Sequence, residues 1–302
     1  MPLFFFISGY FVYSVNYTKN LYRRRLANRL KSQLWPTIIF WALFCIGFCN
    51  SNFSQSLQDH FKSGYWFTFV AVELFCIFSP LFLFFTWKNS SIRQRNMILL
   101  GFSALLLTTA IVGSKILGWE TTKLWGFLSF SDMFLYMPYF TLGILFKINN
   151  DRILKIITNK IFVLASFIAF IALLSIPMNA LVHIGCAVAG ISIIHYLFWK
   201  IFQYKSILES RISYLLQYIG TLTLEIYLLH YFIIEALKIV PDINILTGLK
   251  NTLFEFPVYL ILSSIIICGC LGCLYLFKIL RLNRFLFPKS ALKSKVLRLQ
   301  SN

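Results

Sequence analysis

Nine long apolar runs divide this 302-residue chain, and short polar or basic segments separate them. The runs are Pro2–Asn16, Leu34–Cys49, Gly64–Trp87, Met97–Val112, Ser131–Phe146, Ile161–Ile176, Ala180–Trp199, Tyr218–Lys238 and Phe256–Phe277. A helix that crosses a bilayer needs about 20 mostly apolar residues, so each run reads as a candidate span. Period-2 alternation of the kind a transmembrane barrel requires is absent. No internal repeat or long linker interrupts the pattern. The expected fold is therefore all-α, a polytopic transmembrane helical bundle of about nine spans. Residues 1–280 would form one membrane domain, and residues 281–302 a basic tail.

Composition agrees. Hydrophobic residues make up 59% of the chain and charged residues 13%, against about 45–50% and about 25% in soluble domains. That leaves too little polar surface to cover a water-soluble globule. The net charge of +18 would suggest nucleic acid in a soluble protein, but here the basic residues gather between apolar runs. If the loop after the first run faces the cytoplasm and the spans alternate, 23 of the 28 basic residues lie inside, all except Lys62, Lys115, Lys123, Lys238 and Lys250. This asymmetry follows the positive-inside rule. It predicts an integral membrane protein with basic loops and C-terminus cytoplasmic, no nucleic-acid partner, and Met1 outside. The first run lacks the basic start and cleavage site of a signal peptide. An outside start with no preceding span fits either N-out insertion or a helix upstream of Met1.

Seven cysteines all fall in apolar runs. Cys268, Cys270 and Cys273 have no nearby His or carboxylate, so helix packing explains them better than a metal site. Walker A, HExxH, GxSxG and dinucleotide-binding patterns are absent.

Several ordered motifs resemble one family. Met1-Pro2-Leu3-Phe4-Phe5-Phe6-Ile7-Ser8-Gly9 is similar to the MPxFFFISG signature that opens the second helix of the acyltransferase-3 family of integral membrane O-acyltransferases. A basic loop closing on Leu34-Trp35-Pro36, the helix start Gly64-Tyr65-Trp66-Phe67, the segment Pro138-Tyr139-Phe140-Thr141-Leu142-Gly143 and the run Gly220–His230 resemble later family elements in order. The resemblance implies transfer of an acyl group other than aminoacyl, most simply acetyl, from acyl-CoA to a sugar hydroxyl of an envelope or exported polysaccharide. Acyl-CoA and the glycan are then the partners within the bilayer, with no bound cofactor or metal. It also implies ten spans in the complete fold. The first, with an Arg and the main catalytic His, would precede Met1. The family's Arg-x-x-Arg is matched here only by Arg25 and Arg29, four apart.

Acyl transfer to a hydroxyl requires a proton acceptor, donors for the oxyanion and a hold on the acyl donor. Glu73 is a carboxylate deep in an apolar run and a default functional candidate; Trp66, seven residues earlier, shares its helical face. His230 is the remaining acid–base candidate. Tyr227 shares its face, whereas Glu225 lies roughly 140° around the helix. Arg23, Arg24, Arg25, Arg29 and Lys31 suit the phosphates of a cytoplasmic acyl-CoA, or else set topology against anionic lipid. Ser8 and Gly9 read as a close-packing or substrate-facing pair, the expected neighbour being the upstream helix. His183 and His195 read as structural polar contacts, Asp59-His60 as a solvated pair, and Asp132 as an N-cap or a functional acid. Two rival readings follow from the same residues: a non-catalytic transporter or flippase for lipid-linked glycan, and an inactive, N-terminally truncated acyltransferase.

Overall fold

The computed structural model describes residues 1–48, 53–59, 61–116, 118–119, 122–177, 179–204, 210–238 and 255–288. Among these residues, every regular element is helical. Each apolar run carries a helix: α1 (Pro2–Val12), α3 (Trp35–Phe48), α5 (Trp66–Trp87), α6 (Ile92–Lys115), α8 (Phe130–Ile148), α10 (Lys160–Leu174), α11 (Ala180–Phe202), α13 (Thr223–Lys238) and α14 (Glu255–Ile279). Between them lie α2 (Lys19–Arg29), α4 (Phe53–Gln58), α7 (Lys123–Phe127), α9 (Asn150–Ile157), α12 (Arg211–Thr221) and α15 (Asn283–Leu286). The tail beyond residue 288 and His60 lie outside the described residues.

Among the described residues, five continuous helices are long and apolar enough to cross a membrane: Lys19–Phe48, Trp66–Trp87, Ile92–Lys115, Val182–Phe202 and Pro257–Ile279. Two bent pairs bring the number to seven. Asn150–Ile157 meets Lys160–Leu174 at 73°, and Ser213–Thr221 meets Thr223–Ala236 at 75°. Two of the nine runs carry helices that are in neither group. α1 stops at Val12, four residues early, where Tyr13 turns extended. Ser14 and Asn16 follow, side chains that compete with helical backbone hydrogen bonds. Its 11 residues reach about 16 Å, short of a hydrocarbon core of about 30 Å. α8 has 19 residues but includes Asp132 and Lys147.

α2 and α3 run on as one helix through a π-helical segment, Leu30–Leu34. Pro36 explains the widened turn. Its ring cannot accept the normal crowding against the carbonyl four residues back, and it offers no N–H. Thr37 Oγ1 instead donates to the Gln33 carbonyl at 2.7 Å, and Ser32 Oγ to the Asn28 carbonyl at 2.6 Å.

The chain forms two compact units, each assembled from separate stretches. The first comprises Met1–Lys19, Leu74–Gly118 and Met133–Tyr218. Its α1 crosses α8 through a reciprocal glycine contact. A methyl at Gly9 would overlap the Phe140 carbonyl, and one at Gly143 the Phe6 carbonyl. Asn96 and Asn149 exchange amide hydrogen bonds at 3.0 Å each way. His183 Nδ1 meets Tyr139 Oη at 3.0 Å, and His195 lies against the Phe146 ring at 4.9 Å.

The second unit comprises Asn20–Glu73, Trp119–Asp132 and Ile219–Asn302. Its core is aromatic: Phe40, Trp41 and Phe44 of α3 pack with Tyr65, Leu228 and Leu229. Cys270 joins this core and hydrogen-bonds the Ile226 carbonyl at 3.7 Å, so this cysteine serves packing between α13 and α14.

Candidate functional site

The turn Lys62–Gly64, just before α5, organises the second unit. Lys62, Ser63 and Gly64 all take left-handed backbone, with φ of 45°, 51° and 96°. For the two non-glycine residues this costs about 1–2 kcal/mol each. Three separate clamps hold the turn. Lys62 Nζ donates to Ser129 Oγ at 2.6 Å, to the Gly126 carbonyl at 2.9 Å and to the Asp59 carbonyl at 3.4 Å. Ser63 Oγ lies 3.0 Å from Ser56 Oγ, which in turn accepts from Trp41 Nε1 at 3.1 Å. The Gly64 carbonyl accepts from Tyr227 Oη at 2.7 Å and Tyr231 Oη at 2.9 Å. Tyr65 Oη adds a bond to the Leu228 carbonyl at 3.0 Å.

Two chemical groups flank this turn. On one side stands an acid–base cluster. Lys62 is only 1% exposed, rare for an unpaired lysine. Its ammonium lies 5.6 Å from the centre of the Phe69 ring, and Glu73 is one helical turn beyond Phe69 on the same face. Glu73 Oε2 is buried without a hydrogen-bond partner among the described residues. The charges that reach Glu73 are Lys62 and, with opposite effect, Asp132. Burial pulls the Lys62 ammonium below its ordinary value, while Glu73, Asp59 and Asp132 oppose that fall. Asp132 is the third residue of α8, in its first turn rather than at an N-cap; a carboxylate there also meets the positive end of the helix dipole.

On the other side stands His230. Its Nδ1 is hydrogen-bonded to the Tyr227 carbonyl, which requires N–H at that position in the neutral ring. The lone pair is then on Nε2, the tautomer suited to accepting a proton. The His230 ring lies 3.9 Å from Tyr231 and 5.6 Å from Tyr227. Tyr227 thus has a clear structural duty, holding Gly64. Trp66, 6% exposed, opens α5 directly after the turn. Glu225 is in the first turn of α13, because the eighth apolar run breaks at Leu222 instead of continuing as one helix.

The basic stretch of α2 divides by face. Arg23, Arg24 and Lys31 are exposed, whereas Arg25 and Arg29 are half-buried. Arg29 Nη1 donates to Gln33 Oε1 at 3.3 Å. Between the inner pair, Asn28 Nδ2 is buried without a partner among the described residues. Ser8 and Gly9 belong to the first unit. Gly9 packs against α8.

A buried carboxylate, a buried ammonium in the turn before its helix and an imidazole whose lone pair is on Nε2 are thus the acid–base groups of the second unit. The profile described as an acyltransferase domain, Acyl_transf_3, matches residues 1–284. The chain belongs to the acyltransferase-3 family. It is an integral membrane protein of acyltransferase type, and two of its motif-bearing segments, Gly64–Phe67 and Gly220–His230, supply the end of the turn at Lys62–Gly64 and the helix of His230. No curated protein and no solved structure matches this acyltransferase-3 chain at a significant level. Lys62, Ser129 and Tyr231 carried no signal in the sequence. A loop lysine resembles a solvated one until its backbone conformation folds it inward.

Proposed function

We propose that this protein transfers an acyl group, most simply acetyl, from acyl-CoA to a sugar hydroxyl of an envelope or exported polysaccharide. The observation that carries the proposal is Glu73: a buried carboxylate oxygen with no hydrogen-bond partner among the described residues, on a span of an acyltransferase-3 chain. An unsatisfied carboxyl in an apolar helix is costly, and an acceptor hydroxyl would satisfy it. Glu73 takes the hydroxyl proton or holds the acceptor sugar, with His230 Nε2 as the second acid–base group. Trp66 offers an apolar ring beside the acceptor. Attack of the hydroxyl oxygen on the thioester carbonyl then forms the ester and releases CoA as its thiol.

Arg25 and Arg29 hold the donor phosphates in this reading, with Asn28 offering an amide between them. Arg23, Arg24 and Lys31 face outward on the same helix and supply longer-range attraction at the cytoplasmic surface. The localisation in the bacterial inner membrane rests on the family and its expected envelope glycan, the cytoplasmic placement of the basic loops rests on the charge asymmetry, and both are part of the proposal.

The test is release of free CoA thiol by membranes containing the full chain, supplied with acetyl-CoA and glycan acceptors. Acceptor-dependent release that falls at least about 100-fold in Glu73→Gln is expected for loss of a general base. Release that is unaffected by Glu73→Gln contradicts the assignment. Loss of one charge-assisted hydrogen bond costs about 1.5–3 kcal/mol. Arg25→Ala and Arg29→Ala should therefore each weaken acetyl-CoA binding about tenfold or more, and Arg23→Ala far less. Equal effects at the inner and outer arginines would reduce the stretch to a topology signal.

A further inference from the structure

Lys62 is the buried ion that the proposed reaction leaves unused. Its three ammonium hydrogens have three acceptors, Ser129 Oγ and the Gly126 and Asp59 carbonyls, and none of these is charged. Neutral acceptors satisfy its hydrogen bonds but not its charge. The ammonium sits between two acid-bearing elements. One is the α5 face, where Phe69 under Nζ leads to Glu73 a turn later. The other is the corner before α8, where Ser129 binds Nζ and Asp132 follows three residues on. Glu73, Asp59 and Asp132 all favour the charged ammonium against the effect of burial.

The same contacts make Lys62 a mechanical link. α4 and α7 approach so closely that a methyl on Gly126 would overlap the Gln58 carbonyl. Ser129 is fully buried and itself left-handed, with φ 46°. Lys62 therefore ties a strained turn to a strained corner, and only a long, thin side chain ending in several donors can do so from a buried backbone position.

We propose that Lys62 is a positioning residue: it supplies the fixed counter-charge of Glu73 and joins the Lys62–Gly64 turn to the Gly126–Asp132 corner, so that the acceptor side of the site is preassembled. This rests on the acyltransferase reading for its link to catalysis, but its physical content does not need turnover. The test is a double-variant cycle on the melting temperature of the detergent-solubilised full chain, with Lys62→Gln, Glu73→Gln and both together. Lys62→Gln keeps hydrogen-bond donors and removes the charge. Each single change is expected to lower the melting temperature, and the double variant to lie above the sum of the two shifts, because neither charge is then left facing a neutral partner. Additive shifts overturn the proposal. If Lys62→Gln alone yields no folded protein, recovery of folded protein in the double variant supports the pairing, and no recovery overturns it.

The acyl-transfer assay supplies the second readout. Lys62→Gln is expected to lower kcat while the KM for acetyl-CoA stays within about twofold, the pattern of an interaction expressed in the transition state and not in donor binding. A raised KM with unchanged kcat would place Lys62 on the donor side and overturn its assigned role. Absence of turnover in wild type sinks the enzymatic reading alone, since the melting cycle still decides the Lys62–Glu73 pairing.

Discussion

Gly64 bears a carbonyl that two tyrosines grip and an α-carbon that one of them crowds. A methyl there would overlap the Tyr231 ring, and φ of 96° is a conformation that residues with a Cβ rarely adopt. Gly64→Ala is therefore expected to cost about 2 kcal/mol or more from backbone strain and overlap together, read as a lowered melting temperature; an unchanged melting temperature contradicts the clamp. Lys62 adds a pH dependence. Its folded value lies below the ordinary 10.5. Between those two values the unfolded chain holds a proton that the folded chain has shed, so stability rises with pH across that window. The rise should be present in wild type as pH approaches 10.5 and reduced in Lys62→Gln. At this scale the sequence disclosed Glu73, because a lone carboxylate in an apolar run stands out. It did not disclose Lys62, whose burial comes from backbone angles that no residue type announces. His230 was visible as a residue, but its tautomer depends on the Tyr227 carbonyl.

Helices were legible as apolar length, and their breaks were not. The run Tyr218–Lys238 looks continuous, yet it folds as α12 and α13 with a 75° bend. Gly220, Thr221 and Thr223 occupy that region, and helix propensity is weak enough there for tertiary packing to decide. The π segment after α2 follows from Pro36, a cause readable in sequence once its continuity with the following span is known. Glycine spacing carries a further prediction. Gly9→Ala and Gly143→Ala each place a methyl on a backbone carbonyl across the α1–α8 contact, a clash that side-chain rotation cannot relieve. Each should lower the melting temperature clearly or prevent folding. Gly101 in α6 has nothing within 4 Å of a built Cβ. Gly101→Ala should be neutral or stabilising by up to about 1 kcal/mol. Equal losses at all three positions would contradict the close crossing.

Over the whole chain, the second unit gathers Glu73, Lys62, Asp132, His230 and the basic α2 stretch from three separated segments of sequence. This gathering explains why motif order was legible while site geometry was not. Each motif fixes a local helix start or loop, but the contacts between Lys62 and Ser129, or Gly64 and Tyr227, span 67 and 163 residues. The half-buried Arg25 and Arg29 and the unsatisfied Asn28 amide mark an inner side of α2, the side proposed to hold the donor, that residue counting alone could not separate from its exposed side. The central claim is acyl transfer through Glu73. The most direct measurement is the ester content of glycan incubated with isotope-labelled acetyl-CoA and membranes bearing either wild type or Glu73→Gln. The account predicts labelled acetyl ester on the glycan with wild type and a loss of at least about 100-fold with Glu73→Gln. Equal labelling in both, in protein folded to the same extent, would contradict it.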